Sequence, residues 1–138
     1  MKYLGKCKCG NSSVTLEGVE SLGGLKPRIC DCEYCKKNPS ALVSGPNLTV
    51  TILSLQGKFI TKKNGSGQAE FYQCRDCNQL LAVGTVISGQ SKGALNANLL
   101  DHREELGTPI AVQPRLFSPN EKVDRWSRIW GILNVRSA

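Results

Sequence analysis

Polar and apolar residues alternate along the first part of the chain, and the alternation predicts short strands. Residues 13–17 alternate in this way and follow a turn signal at Gly10 and Asn11. Residues 48–52 repeat the pattern and place Leu48, Val50 and Ile52 on one face. Since successive side chains of a strand point to opposite faces, each strand is expected to bury one face.

A glycine-rich tetrapeptide in the middle of the chain predicts a hairpin. Residues 58–61 and 69–72 have strand character, and they flank residues 64–67, whose types accept positive backbone dihedral angles. Residues 80–87 form a further β-rich apolar run that contains Gly84. A glycine inside a strand indicates a bulge or a close backbone contact. We therefore expect a meander of short strands here.

Two later segments carry helical signals. Residues 101–106 are long enough for about one and a half turns of helix. Ser118, followed by Pro119 and Glu121, predicts a capped helix with proline at its first position, and Gly131 is a candidate end. The stripe expected to pack on the sheet comprises Val123, Trp126, Ile129, Trp130 and Leu133. Its two tryptophans are expected to fill the core rather than to stack on a ligand.

Length and composition predict one domain built mainly from a sheet. The 138 residues have the size of a single domain, so we expect one domain over residues 1–138. Apolar residues make up 40% of the chain but aromatic residues only 6%, with 14 glycines and 6 prolines. This composition favours sheets and turns over a helical bundle.

The cysteine count and the first residues bear on the cellular compartment. Seven cysteines cannot close into a complete set of disulfides, and the first residues lack the apolar core of a signal peptide. No apolar run approaches the ~20 residues that span a membrane. We therefore expect a cytoplasmic protein whose cysteines are thiols or metal thiolates, with no membrane partner.

Basic residues outnumber acidic ones, and the excess bears on the partners to be expected. Eighteen lysines and arginines against eleven aspartates and glutamates give a formal net charge of +7. The basic residues are dispersed and the aromatic residues few, so the sequence offers neither a phosphate-tracking stripe nor a base-stacking platform. Seven thiolates holding two Zn²⁺ would lower the net charge to about +4. Nucleic acid is therefore not the expected partner.

The seven cysteines fall into three clusters. They are Cys7 with Cys9, then Cys30 with Cys32 and Cys35, and finally Cys74 with Cys77. Zinc takes about four tetrahedral ligands, and a cysteine pair at a turn supplies two of them at little cost in loop closure. Gly10 and Asn78 follow the outer pairs and tolerate the left-handed conformation of a metal knuckle. The outer pairs are therefore candidate halves of one closed site.

The middle cluster offers three thiolates and leaves a fourth metal position open, which is how catalytic zinc is usually held. One alternative is a second closed site completed by His102, Asp31 or Glu33. Redox-active thiols without metal and a disulfide framework are further alternatives. The spacing also allows the middle cluster to share a metal with the last pair.

The order of the three motifs resembles a known family. C-x-C, C-x-C-x-x-C and C-x-x-C in a chain of this length are similar to the glutathione-dependent formaldehyde-activating enzyme family, whose domain is shared with the centromere protein V group. Residues 5–10, 30–37 and 74–77 carry the match. With the predicted elements, the resemblance implies a mainly β, zinc-stabilised, tent-like fold of short antiparallel strands with one C-terminal helix.

The resemblance also implies site residues and an activity. Cys7, Cys9, Cys74 and Cys77 would hold a structural zinc. Cys30, Cys32 and Cys35 would hold a second, catalytic zinc. The implied reaction is of the carbon–sulfur lyase type and joins the thiol of glutathione to formaldehyde.

Four basic residues crowd the middle motif and bear on the substrate. They are Lys26, Arg28, Lys36 and Lys37. They could hold the carboxylates of glutathione or simply form a solvated face. The competing hypothesis is a non-catalytic, zinc-stabilised module that binds nucleic acid or protein, with both metals structural.

Overall fold

The computed structural model describes residues 2–30, 40–55, 59–63 and 68–137. This part of the chain forms eleven strands and one α-helix. The strands are β1 (Lys2–Lys6), β2 (Ser12–Glu17), β3 (Arg28–Cys30), β4 (Leu42–Val43), β5 (Thr49–Ser54), β6 (Phe59–Lys63), β7 (Glu70–Cys74), β8 (Leu80–Ile87), β9 (Gln90–Asn96), β10 (Ile110–Val112) and β11 (Gly131–Ser137). The helix, α1, spans Pro119–Ile129, and short 3₁₀ turns occupy Leu22–Gly24, Ala97–Leu99, Arg103–Glu105 and Pro114–Leu116.

The strands form one sheet that branches at β9. One edge of β9 pairs with β8, and β7 and β6 continue the sheet on that side. The other edge is divided, because β11 pairs at Lys92 and Gly93 whereas β4 pairs at Leu95 and Asn96. One branch continues through β5, β2 and β1, and the other through β3 and β10. The mainly β fold is as expected.

Most strand pairs are antiparallel, but two are parallel. β11 lies parallel to β5 along six paired residues, and β10 lies parallel to β3 along three. The expectation of antiparallel strands therefore holds for the meander and not for these two pairs. Period-two alternation is the same in both arrangements, so the sequence pattern could not distinguish them.

The predicted strands of the meander are confirmed. β2 and β5 cover the two alternating segments, and Val14, Leu16, Val50 and Ile52 are buried as the alternation requires. β6 and β7 form the predicted hairpin. Its glycine-rich connection, residues 64–67, lies outside the described residues.

Gly84 lies in β8 because a side chain there would collide with β11. An added Cβ would clash with Leu133 Cδ2 and would lie 2.9 Å from the Lys92 carbonyl oxygen. Gly84 pairs with Gly93, where an added Cβ would lie 2.9 Å from the same Leu133 atom. The glycine therefore marks a close contact, and the irregularity in this part of the sheet falls elsewhere, between Tyr72 and Gln73.

Helix α1 begins and ends where the sequence predicts. The Glu121 amide donates to Ser118 Oγ at 3.2 Å, and the Ser118 amide donates to Glu121 Oε1 at 2.9 Å. Trp126 and Ile129 pack against a small core formed by Ala69, Leu80, Val83, Ala94 and Trp130. The predicted stripe is wrong at Leu133, which belongs to β11 and to the larger core.

The expected helix at residues 101–106 is only a single 3₁₀ turn, Arg103–Glu105. This turn is exposed and lacks an apolar face, so no packing compensates for the cost of starting a helix. No helix in the described part of the chain has both the length and the apolar character needed to cross a bilayer.

Candidate metal centre and adjoining cleft

Four cysteines from distant parts of the chain meet in space. The Sγ atoms of Cys7, Cys9, Cys74 and Cys77 all lie within 4.8 Å of one another. Cys7 Sγ lies 3.5 Å from Cys9 Sγ and 3.6 Å from Cys74 Sγ. The structure thus brings together the two outer motifs that the sequence pairs.

The sulfur spacing fits a tetrahedral metal. Thiolates at ~2.3 Å from a tetrahedral zinc lie about 3.8 Å from one another. A disulfide would bring two sulfur atoms to about 2.0 Å, whereas Cys9 Sγ and Cys74 Sγ are 3.6 Å apart. Four sulfur donors that suit zinc are therefore held together, and these residues could hold one such ion.

The first pair lies on a tight turn between β1 and β2. The Gly10 amide donates to the Cys7 carbonyl at 3.0 Å, and the Cys7 amide donates to the Ser12 carbonyl at 3.1 Å. Gly10 has a φ of 78°, the left-handed conformation expected from its residue type. The Ser12 amide points at Cys7 Sγ at 3.4 Å, which would stabilise a thiolate there.

The second pair lies on an equivalent turn between β7 and β8. The Asn78 amide donates to the Cys74 carbonyl at 2.8 Å, and the Cys74 amide donates to the Gln79 carbonyl at 3.0 Å. Asn78 has a φ of 60° and takes the place that Gly10 has in the first turn. The left-handed conformation predicted at both positions is confirmed.

Two hydrogen bonds join the turns directly. The Lys8 amide donates to Gln79 Oε1 at 2.8 Å, and Asn11 Nδ2 donates to Asp76 Oδ2 at 2.9 Å. Sequence analysis missed these partners, because no spacing rule links side chains some 70 residues apart. Their only signal is that amide and carboxylate side chains stand beside the cysteines.

The clustered thiols influence one another's ionisation. At Cys74 burial acts to raise the pKa, but the nearby Ser12 side chain and the backbone of Cys77 and Asp76 lower it to about 6. At Cys9 the backbone hydrogen bond at Asn11 lowers the pKa, but burial and the neighbouring thiols raise it to about 12. One thiolate therefore forms readily, and it opposes ionisation of its neighbours until a cation balances the charge.

The middle cysteine cluster is described only at its first member. Cys30 is the last residue of β3 and is half-buried. Its partners Cys32 and Cys35 lie outside the described residues, as do Asp31, Glu33, Lys36 and Lys37. Within the described residues, the metal-competent group that contains Cys74 and Cys77 is completed by the first cysteine pair, without Cys30.

His102 lies in an exposed acidic group. Its Nδ1 atom is 3.4 Å from Glu105 Oε2 and 3.7 Å from Glu104 Oε1. The group formed by these three side chains contains no cysteine. The described residues therefore give no support to His102 as a ligand of the cysteine sites.

A cleft begins at Cys30 and runs beneath helix α1. Its described walls enclose about 60 Å³. The polar and cationic lining comes from Arg28, Cys30, Lys122 and Arg125, and the apolar lining comes from Leu42, Ala94, Val112, Pro114, Phe117, Trp126, Ile129 and Trp130. Cys30 therefore faces a small apolar space that is rimmed by cations.

The two tryptophans fill the core and also line this cleft. Their rings stack with centroids 4.7 Å apart and planes 5° from parallel. Trp130 is 5% exposed, whereas Trp126 is half-buried. The expected core role therefore describes Trp130 well and accounts for only part of the position of Trp126.

Comparison with known proteins identifies the family. Residues 2–114 match the family described as glutathione-dependent formaldehyde-activating enzyme. The chain belongs to that family. All three cysteine motifs lie inside the matched region, so the family resemblance of the motifs is confirmed.

A solved structure shares the fold of this glutathione-dependent formaldehyde-activating family member. A crystal structure of a Rhodobacter sphaeroides protein, determined as a structural genomics target, is 22% identical in sequence with a TM-score of 0.56. The alignment covers 81% of this chain and all of the other. No curated protein matches the sequence.

The family match covers only one wall of the cleft. Arg28, Cys30 and the β-strand residues lie within the matched region, which ends at residue 114. Phe117 and the lining residues of α1 lie beyond it. In this family member, the helical wall of the cleft is therefore formed by a segment outside the family match.

Proposed function

We propose that this protein is a zinc-dependent enzyme of the carbon–sulfur lyase type that joins a thiol such as glutathione to formaldehyde. The observation that carries the proposal is the four-cysteine cluster, with sulfur atoms 3.5–3.6 Å apart, in a chain of this family. A cytoplasmic location fits the proposal, because metal thiolates persist in a reducing compartment.

The two cysteine sites have different roles in this proposal. Cys7, Cys9, Cys74 and Cys77 hold a structural zinc that ties β1 to the hairpin of β7. Cys30, Cys32 and Cys35 hold a second zinc beside the cleft. When bound there, zinc would supply Lewis acidity, which favours the thiolate form of a bound thiol and polarises an aldehyde oxygen.

The reaction requires little beyond positioning. A bond forms between the thiol sulfur and the formaldehyde carbon, the carbon–oxygen π bond breaks, and the thiol proton ends on the new hydroxyl group. Arg28 lies two residues from Cys30 and lines the same cleft. Its positive charge would attract an anionic thiol substrate and hold one carboxylate near the reacting sulfur.

The test compares two neighbouring residues of β3. Cys30→Ser should reduce the zinc content from two ions per chain to one and abolish catalysed formation of S-hydroxymethylglutathione, measured by NMR. Ile29→Ser is the matched control, because Ile29 is 45% exposed and does not line the cleft. This control should keep both the zinc and the activity.

Two results would contradict the proposal. A Cys30→Ser protein with full activity would remove the second site from the reaction. A wild-type protein with two zinc ions and no acceleration of adduct formation would show that the chain performs another task. Circular dichroism of each variant shows whether lost activity reflects lost folding.

A further inference from the structure

The described lining of the cleft beside Cys30 carries a group of cations. Arg28, Lys122 and Arg125 line it, and no aspartate or glutamate is found among its described lining residues. All three cations are half-buried. The described part of the chain gives the Arg28 side chain neither a hydrogen bond nor an ion pair.

This arrangement is unfavourable in the free protein. Arg28 and Arg125 are both half-buried and line the same small space, so their positive charges repel one another. A partly buried charge without a counter-ion loses hydration and gains nothing in return. A bound anion would compensate for the lost hydration of Arg28 and would offset its repulsion from Arg125.

Aromatic side chains fix the other walls of the same space. Trp126 is held by its stack on Trp130, with ring planes 5° from parallel. The guanidinium of Arg125 lies 5.4 Å from the centre of the Phe117 ring, which restricts its position. The two half-buried cations therefore lie beside flat apolar surfaces.

The size of the cleft limits what can enter. The enclosed space of about 60 Å³ holds roughly four to six water molecules. A closed cavity that takes a benzene ring measures about 150 Å³, so a ring would enter this cleft only in part, with its charged end at the rim. An extended tripeptide could place only one end in it.

We propose that this cleft binds the carboxylate of a small ligand with a flat, apolar body. Arg28 and Arg125 hold the carboxylate, and Trp126 contacts the body. The claim that this ligand reacts at the Cys30 site rests on the proposed function. The claim that the cleft binds it does not. Because most of the helical wall lies beyond residue 114, this selectivity belongs to the part of the chain outside the family match.

Binding can be followed without a label. Trp126 and Trp130 are the two tryptophans of the chain, and both line the cleft. Titration with benzoate should change the tryptophan fluorescence and reach saturation. Benzamide has the same shape without charge, and acetate has the charge without the ring. Each should bind at least about tenfold more weakly, since each lacks one of the two interactions.

Variants assign the two interactions to residues. Arg28→Gln and, separately, Arg125→Gln should each weaken benzoate binding about tenfold and leave benzamide unchanged. Trp126→Leu should remove the preference for benzoate over acetate, with Trp130 as the remaining reporter. Arg128→Gln is the matched control, because Arg128 lies on the same helix, pairs with Asp124 at 2.8 Å and does not line the cleft.

The proposal would be overturned if benzoate and benzamide bound equally well. It would also be overturned if both Arg28→Gln and Arg125→Gln kept the wild-type affinity for benzoate. Saturable binding of glutathione without binding of benzoate would also overturn it while leaving the proposed function intact. Benzoate binding in a protein that never accelerates adduct formation would support the cleft and contradict the proposed function.

Discussion

The two cysteine regions of this protein differ in how their charges and backbone are held. The four-cysteine cluster is fixed by two similar turns that bond to one another, and its buried members Cys7 and Cys74 are 5% and 1% exposed. Cys30 ends a strand of three residues and faces a cleft rimmed by cations. The first region is closed by hydrogen bonds between its two turns, whereas the described lining of the second contains cations and no aspartate or glutamate.

This difference supports different roles for the two regions in the proposed function. A metal held by four sulfur donors would have no position left for a substrate, so we propose that the four-cysteine cluster contributes to stability. Cys30 is half-buried beside Arg28, Lys122 and Arg125, so we propose that its region contributes to recognition of a ligand. In this proposal cysteine is a structural metal ligand in one region and part of a reactive site in the other. The surrounding residues decide which role it has.

The largest expected effect is a loss of stability when a ligand of the four-cysteine cluster is replaced. Cys74→Ser removes one of four donors, and structural zinc contributes on the order of 10 kcal/mol, comparable to the ~5–15 kcal/mol that holds a whole domain together. We expect this variant to bind one zinc fewer and to be largely unfolded at 25 °C. Zinc analysis and urea unfolding measure both quantities.

Cys30→Ser is the comparison for this measurement. It should keep the urea midpoint of unfolding close to that of the wild type, because its site does not join distant strands. If both serine variants unfolded alike, the division between a structural and an open site would be wrong.

A smaller effect tests the geometry of the second turn. Asn78→Val places a β-branched residue at a φ of 60°, which should cost about 1–2 kcal/mol of unfolding free energy. Asn78→Gly accepts the same conformation and should be close to neutral. Thermal unfolding of the zinc-loaded proteins measures both changes, and equal stability of the two variants would show that the turn does not depend on this conformation.

The smallest effect concerns the helical wall of the cleft. Ser118→Ala removes the N-cap of α1 and should cost about 1 kcal/mol. The Ser118 backbone amide and side chain hold the pKa of Glu121 below its usual value. The stability that the ionised Glu121 side chain contributes is therefore present above its unfolded-state pKa of about 4.3. It is lost as the pH falls through its lower pKa in the folded protein.

The pH dependence supplies its own control. Glu121→Gln should remove the part of the acid dependence that Glu121 contributes while it keeps the capping hydrogen bonds. Urea unfolding between pH 3 and 6 measures the slope. An unchanged slope in this variant would show that Glu121 does not contribute to it.

Local signals in the sequence predicted most of the fold. The start of α1 was predicted from Ser118, Pro119 and Glu121, because helix capping depends on residues within one turn. Alternation predicted the strands β2 and β5, since burial of one face has a period of two, and a β-rich apolar run predicted β8. The same reasoning failed at Leu133, because β11 follows the helix with almost no break and the apolar spacing continues across the boundary.

The candidate site was predictable in part. Gly10 and Asn78 marked the two metal turns, because few residue types accept the left-handed conformation there. The cleft was not predictable, since Arg28 and Arg125 are 97 positions apart in the chain. Only the packing of α1 against β9, with residues of β3 and β4 also lining the cleft, brings them to one space.

By itself the sequence determined the chemical donors, the turns that carry them and the family to which the chain belongs. These features depend on residue types and on short spacings between residues, and both can be read directly from the sequence. The tertiary structure alone decided that two strand pairs are parallel and that cations collect beneath α1, where the described lining of the cleft contains no carboxylate. Such features arise from contacts between distant segments, and no local preference specifies them.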